Sequence, residues 1–166
     1  MLGTRVDFED DGLLGEAALG DDVSGLNDED GVADPIIVTT GSETTVSVVA
    51  TNTSGSVATL AGWVDLDGNG TFDPGERVTI SVPANSGTQT YELTFPPGTT
   101  VSDTYARFRI FSGDVSAPLP GGRVSGGEVE DYAVQVLSPA LEIEKTSNFT
   151  SDSRPGDTIE YTVTAT

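Results

Sequence analysis

From Ile36 onward apolar and polar residues alternate with a period of two, which puts one face of a β-strand on a core and the other in water. Val46, Val48 and Ala50 carry the pattern, as do Val78, Ile80 and Val82, then Tyr91, Leu93 and Phe95. Ala106, Phe108 and Ile110 repeat it, followed by Tyr132, Val134 and Val136. Segments rich in Gly, Pro, Asn and Ser separate the runs at 83–87, 96–99 and 118–122, intervals that suit an antiparallel sandwich. The pattern predicts an all-β chain: an antiparallel β-sandwich, immunoglobulin-like or jelly-roll-like, of half-buried strands. Only residues 13–19 suggest a helical turn.

Two segments break the alternation. Residues 1–31 hold ten acids (Asp7, Glu9, Asp10, Asp11, Glu16, Asp21, Asp22, Asp28, Glu29 and Asp30) against the single Arg5. Charges so packed cannot close up without cations, so this stretch is either a disordered arm or a cap pinned by metal. The second break is a short linker at 138–140, after which Leu141-Glu142-Ile143-Glu144-Lys145 opens a new strand. Residues 141–166 suffice for about one hairpin, too little for an independent fold. The expected organisation is a sandwich over 1–137 with 1–31 as its acidic cap, a linker at 138–140, and an incomplete domain over 141–166.

Composition narrows the chemistry. The 166 residues include 27 acids and 7 bases, for a formal charge of −20, with no Cys and no His. So negative a surface repels phosphate backbones and anionic lipid, which argues against nucleic acid as a partner. Disulfides, thiol nucleophiles, imidazole bases and the usual zinc, copper or iron sites are excluded. No apolar run approaches the roughly 20 residues of a membrane span, so membrane insertion is not expected, and residues 1–12 lack a secretory signal. Any export signal is expected upstream.

The sharpest local signal is Asp65-Leu66-Asp67-Gly68-Asn69-Gly70-Thr71-Phe72-Asp73-Pro74-Gly75-Glu76. It has the twelve positions of a calcium loop: side-chain oxygens from Asp65, Asp67, Asn69 and Asp73, a backbone carbonyl from Thr71, Gly70 at the sharp turn, and Glu76 closing the shell. Calcium takes six to eight oxygens, and this spacing wraps them around one ion. A polar hairpin turn is the alternative reading of Asp-Gly-Asn-Gly. The flanks, 60–64 and 77–82, read as strands. Without two helices to swing apart, an ion here would stiffen the fold and expose no groove.

A second acidic group is Gly127-Glu128-Val129-Glu130-Asp131-Tyr132. Strand parity puts Glu128, Glu130 and Tyr132 on one inward face, and two uncompensated carboxylates there are costly. Arg107 and Arg109 on a neighbouring strand could answer them. So could metal ions shared with Asp21, Asp22, Asp28, Glu29, Asp30 and Asp131. The residues leave the two readings even. Paired acids with Gly and Asn spacing favour ion binding over a glycosidase pair, and Trp63, Phe72, Tyr91, Phe95, Phe108, Phe111 and Tyr132 read as core aromatics.

Residues 17–32, with Gly20-Asp21-Asp22, Gly25 and Asp28-Glu29-Asp30-Gly31-Val32, resemble the acidic opening motif of the bacterial GEVED domain. Gly62-Trp63-Val64-Asp65-Leu66-Asp67 through Phe72 resembles its central tryptophan and acidic loop, and residues 127–132 contain the motif behind its name. The likeness runs from about Leu2 to Val136, with Asn27 where the family tends to carry Asp. Leu141 to Lys145, Pro155-Gly156-Asp157-Thr158 and Tyr161 to Thr164 are similar to the start of an immunoglobulin-like surface-protein repeat of unknown function. The resemblance implies an extracellular β-module in large bacterial surface or secreted proteins. Together with the loop, it leads to the expectation of a non-enzymatic, calcium-stabilised structural module of a surface adhesin or filament, with no cofactor beyond calcium, one ion expected and two or three allowed. It implies neighbouring domains of the same polypeptide as partners. Two alternatives stand beside it: a module using calcium to hold a glycan or peptide, and a fibre subunit donating its C-terminal strand to another copy.

Overall fold

The computed structural model describes residues 1–3, 30–122, 126–150, 152 and 154–165. The described residues form nine strands and one short 3-10 turn, and no helix among them is long and apolar enough to cross a membrane. The strands are β1 (Ile36–Thr39), β2 (Thr44–Asn52), β3 (Ala58–Val64), β4 (Arg77–Val82), β5 (Gly87–Phe95), β6 (Thr104–Ser112), β7 (Gly127–Leu137), β8 (Ile143–Ser147) and β9 (Tyr161–Ala165). The 3-10 turn, Pro74–Glu76, immediately precedes β4. Every alternating run named above lies in a strand.

One layer is a five-stranded sheet in the order β1-β7-β6-β3-β4, and β2 with β5 forms the second. Inward side chains of both layers share one core, including Val46, Val48, Leu60, Leu93, Phe108 and Val134. Phe108 meets Phe95 of the facing layer and Tyr132 of the adjacent strand edge-on, with ring centroids 6.4 and 5.9 Å apart, the geometry that sets positive ring edges against negative faces.

The structure corrects the expected architecture in two ways. The sheet is mixed, because β1 runs parallel to β7, Ile36 opposite Val134 through Thr39 opposite Leu137. Alternation reports which face is buried and is blind to strand direction. Also, β3 is buried along its whole length and β6 along most of it, instead of half-buried. The outer face of the sheet is covered by the segment after β6. Trp63, Ala61 and Phe111 form a second apolar cluster there, with Phe72 and Val115 against it. Trp63 and Phe111 are thus packed as expected, but on the face opposite the sandwich core. Asn52, at the end of β2, is buried, and its Nδ2 donates to the carbonyls of Ser56 at 2.9 Å and Pro83 at 3.0 Å.

Two buried arginines on β6 and a half-buried one on β4 hold the outer cover. Arg77, Arg107 and Arg109 donate to the carbonyls of Pro118 (2.8 Å), Pro120 (3.0 Å) and Leu119 (2.9 Å), and Arg109 also reaches Gly122 (2.9 Å). Arg107, wholly buried, is matched by Asp131 on β7, its Nε 2.6 Å from Oδ1 and its Nη2 on Oδ2. Desolvation, reinforced by Arg107 and opposed by Asp131, lowers the Arg109 pKa to about 10. Among the described residues β8 and β9 pair with each other alone, and both are exposed throughout.

Removing one partner of a buried ion pair strands the other charge. Asp131→Ala is expected to cost about 3–5 kcal/mol of stability, read as a shift of the urea midpoint, with Asp114→Ala at an exposed position as the control.

Candidate metal centre

The connection between β3 and β4 is the twelve-residue loop identified from sequence, and the flanking strands pair with each other, Trp63 opposite Arg77. Its base is fixed by the buried Leu66, whose carbonyl accepts the amides of Thr99 at 2.8 Å and Thr100 at 2.9 Å. Gly70 has φ +80°, the left-handed region open to glycine at little cost, and this lets the chain fold back over Asp65.

Asp65 is buried and gathers the turn: Oδ1 accepts from the amides of Gly68 (2.8 Å) and Asn69 (3.1 Å), and Oδ2 from Gly70 (3.0 Å). Glu76, also buried, spans the loop from the other end. Its Oε1 accepts from the amides of Leu66 (2.6 Å) and Asp67 (3.2 Å), its Oε2 from Asp73 (2.8 Å). Burial raises the Glu76 pKa above its ordinary 4.5; these amides oppose the rise and the charge of Asp65 adds to it. One carboxylate oxygen from each of Asp65, Asp67 and Glu76 lies within 4.8 Å of the others. The donor set is hard oxygen only, which suits a hard cation such as calcium. A cleft of about 370 Å³ opens beside it, lined by Asp65, Asp67, Gly68, Gly70 and residues 99–105.

The other loop positions are arranged differently from the expected shell. Asn69 turns its Nδ2 to Asp67 and Asp73, 3.0 Å from each, while its Oδ1 accepts from the Thr71 amide at 2.7 Å and hydroxyl at 2.6 Å. The amide donor thus occupies the space between two carboxylates, and an ion that uses the Asn69 oxygen requires the amide to turn over. Asp73 is at the rim, outside the three converging carboxylates.

Of the second acidic group, Asp21, Asp22, Asp28 and Glu29 lie outside the described residues. Glu128 and Glu130 do share the inward face of β7 with Tyr132, and all three are buried. Asp131 points to the opposite face, onto Arg107. The arginines proposed as partners of Glu128 and Glu130 are therefore on the wrong side of the sheet: β6 turns Ala106 and Phe108 inward and Arg107 and Arg109 outward. Backbone amides answer the glutamates instead. Glu128 Oε2 accepts from the Leu2 amide, and Glu130 Oε1 from Gly31 at 3.2 Å. Tyr132 Oη accepts from the Val32 amide and donates to Glu130 Oε2, both at 3.0 Å. Sequence reading missed this role of Tyr132; the available signal was a hydroxyl at an inward strand position, which needs a partner when buried.

With both acidic groups placed, comparison with known proteins is informative. Residues 59–135 match the GEVED domain. The GEVED segment runs from β3 into β7 and so includes the 65–76 loop, the arginines and the 127–132 motif. The match does not extend to the acidic opening or to the tail. No curated protein matches the chain. Among solved structures, the crystal structure of calcium binding domain CBD12 of CALX1.1 aligns at 18% identity and a TM-score of 0.32, covering 63% of this chain and 42% of its own. The chain spans less than half of that protein, and so distant a likeness carries no argument here.

Desolvation is the largest influence on Glu130; the hydrogen bond from Tyr132 opposes it, the charge of Glu128 adds to it, and the balance pushes the pKa from 4.5 up to about 8. In metal-free buffer between those values, the folded chain keeps a proton that the unfolded chain has released. Stability from this group is full below about 4.5 and is lost as pH rises through about 8. Glu130→Gln is expected to flatten that decline in urea midpoints measured from pH 5 to pH 8.

Proposed function

We propose that the chain is a non-catalytic, calcium-stabilised β-module of a bacterial extracellular adhesin or surface filament. The observation that carries this reading is the convergence of Asp65, Asp67 and Glu76 in a loop held between two paired strands. Three carboxylates drawn together, two of them buried, repel one another, and a divalent cation relieves that repulsion only when the loop is folded. Binding to the folded form alone stabilises it by linkage, roughly 2.7 kcal/mol at a hundred times the dissociation constant. Asp65, Asp67 and Glu76 would hold the ion, with Asn69, Thr71 and Asp73 completing the shell. Oxygen-rich extracellular modules bind calcium at about 10⁻⁴ to 10⁻³ M, so such a loop would be empty before export and filled after it. No helices flank the loop, so the ion's effect is rigidity.

The tail supports the proposed setting of the module. On one face of the β8–β9 hairpin Ile143, Tyr161 and Val163 are 61%, 59% and 62% exposed. An apolar face of this kind supports the reading of residues 141–166 as part of an immunoglobulin-like neighbour covered by further strands, with residues 1–137 as the preceding domain.

Calorimetric titration with calcium is expected to give a dissociation constant of about 10⁻⁴ to 10⁻³ M and a rise in melting temperature that a chelator reverses. Asp65→Asn combined with Glu76→Gln should abolish both. Equal binding by this variant, or none by the parent chain, would overturn the assignment.

A further inference from the structure

The outer edge of β2 is covered by two separate pieces of chain. Leu2 pairs antiparallel with Ala50 and Val32 with Val48. Met1 and Thr51 exchange both main-chain bonds, at 2.9 and 2.8 Å. An antiparallel strand that sets residue 1 opposite residue 51 places residue 3 opposite 49 and residue 4 opposite 48. Gly3 is indeed at the first place, its amide 2.9 Å from the Val49 carbonyl. The carbonyl that accepts from Val49, however, belongs to Gly31, at 2.7 Å, and Val32 stands where residue 4 would. Two glycines thus share the position of one residue. A Cβ on Gly31 would come 3.0 Å from the Gly3 amide nitrogen and 2.5 Å from Glu130 Oε2, and one on Gly3 would collide with Asp30.

We infer that residues 1–3 and 31–32 are two halves of one edge strand, interrupted by residues 4–30, and that Glu128, Glu130 and Tyr132 are the clasp that locks the halves to the facing sheet. The geometry gives each motif residue a task. Amides of an edge strand that make no bond to the partner strand need another acceptor. Leu2 gives its amide to Glu128, Gly31 to Glu130 and Val32 to Tyr132 Oη. All three acceptors lie on β7, in the other layer, so the clasp closes the side of the sandwich where β2 would otherwise be open. Leu2, 0% exposed, fills the gap beneath. The three acceptors are supplied by side chains, so the clasp needs no ion. It does not rest on the calcium reading of the 65–76 loop.

Two measurements test this. Amide hydrogen exchange on the full chain, in chelator, is expected to show Leu2, Gly31 and Val32 slowed at least about 100-fold relative to an unstructured peptide. Tyr132→Phe should speed Val32 about tenfold or more while Leu60 and Ile110 stay protected. A shortcut chain lacking residues 4–31, with Gly3 followed directly by Val32, should fold cooperatively and keep Leu2 and Val32 protected. The inference is overturned if the shortcut chain is unfolded, if those amides exchange freely in the full chain, or if chelation alone abolishes their protection. The last result would return the motif to metal binding, whatever calcium does at Asp65.

Discussion

A carboxylate or guanidinium removed from water must be met by donors or opposite charge, at a cost of several kcal/mol otherwise. This constraint organises the molecule. Asp65, Glu76, Glu128, Glu130, Asp131, Arg107 and Arg109 are all buried in a chain of formal charge −20. Each is answered: Asp65 and Glu76 by amides of their own loop, Glu128 and Glu130 by amides of the edge strand, and Asp131 by Arg107. The arginines in turn spend their remaining donors on carbonyls of the covering segment. Long-range chain closure and charge compensation are therefore the same set of bonds.

The two acidic groups reach different endings under this constraint. In the 65–76 loop the amides leave three carboxylate oxygens close together, with no ion-pair partner among the described residues and with the neutral Asn69 amide near two of the loop's carboxylates. That arrangement favours a divalent cation. On β7 the sheet separates the acids: alternation sends Asp131 to the outer face, where a guanidinium awaits it, and leaves Glu128 and Glu130 among backbone donors and a tyrosine hydroxyl. Desolvation there is strong enough to favour a proton on Glu130 near neutrality.

Much of the site was legible along the chain because its spacing is local. The loop, its two strand flanks, the turn at Gly70 and the shared inward face of Glu128, Glu130 and Tyr132 all follow from residue types at fixed separations. The arginine assignment failed for a reason that parity within one strand cannot reveal. Arg107 and Arg109 alternate correctly along β6, but which face of β6 matches which face of β7 depends on the register between them, Arg107 opposite Asp131 and Phe108 opposite Glu130.

Alternation, turn residues and the spacing of acids thus determined on their own that the chain is all-β, where its strands lie, and which loop brings carboxylates together, since each depends only on neighbours a few residues apart. Tertiary structure decided the parallel pairing of β1 with β7, the double-sided burial of β3, and the partners of the buried charges outside the 65–76 loop. It also decided that residues 1–3 and 31–32 share one strand. Those outcomes depend on which surfaces meet across the fold, and the free energy of desolvating a charged group is settled only when its distant partner arrives.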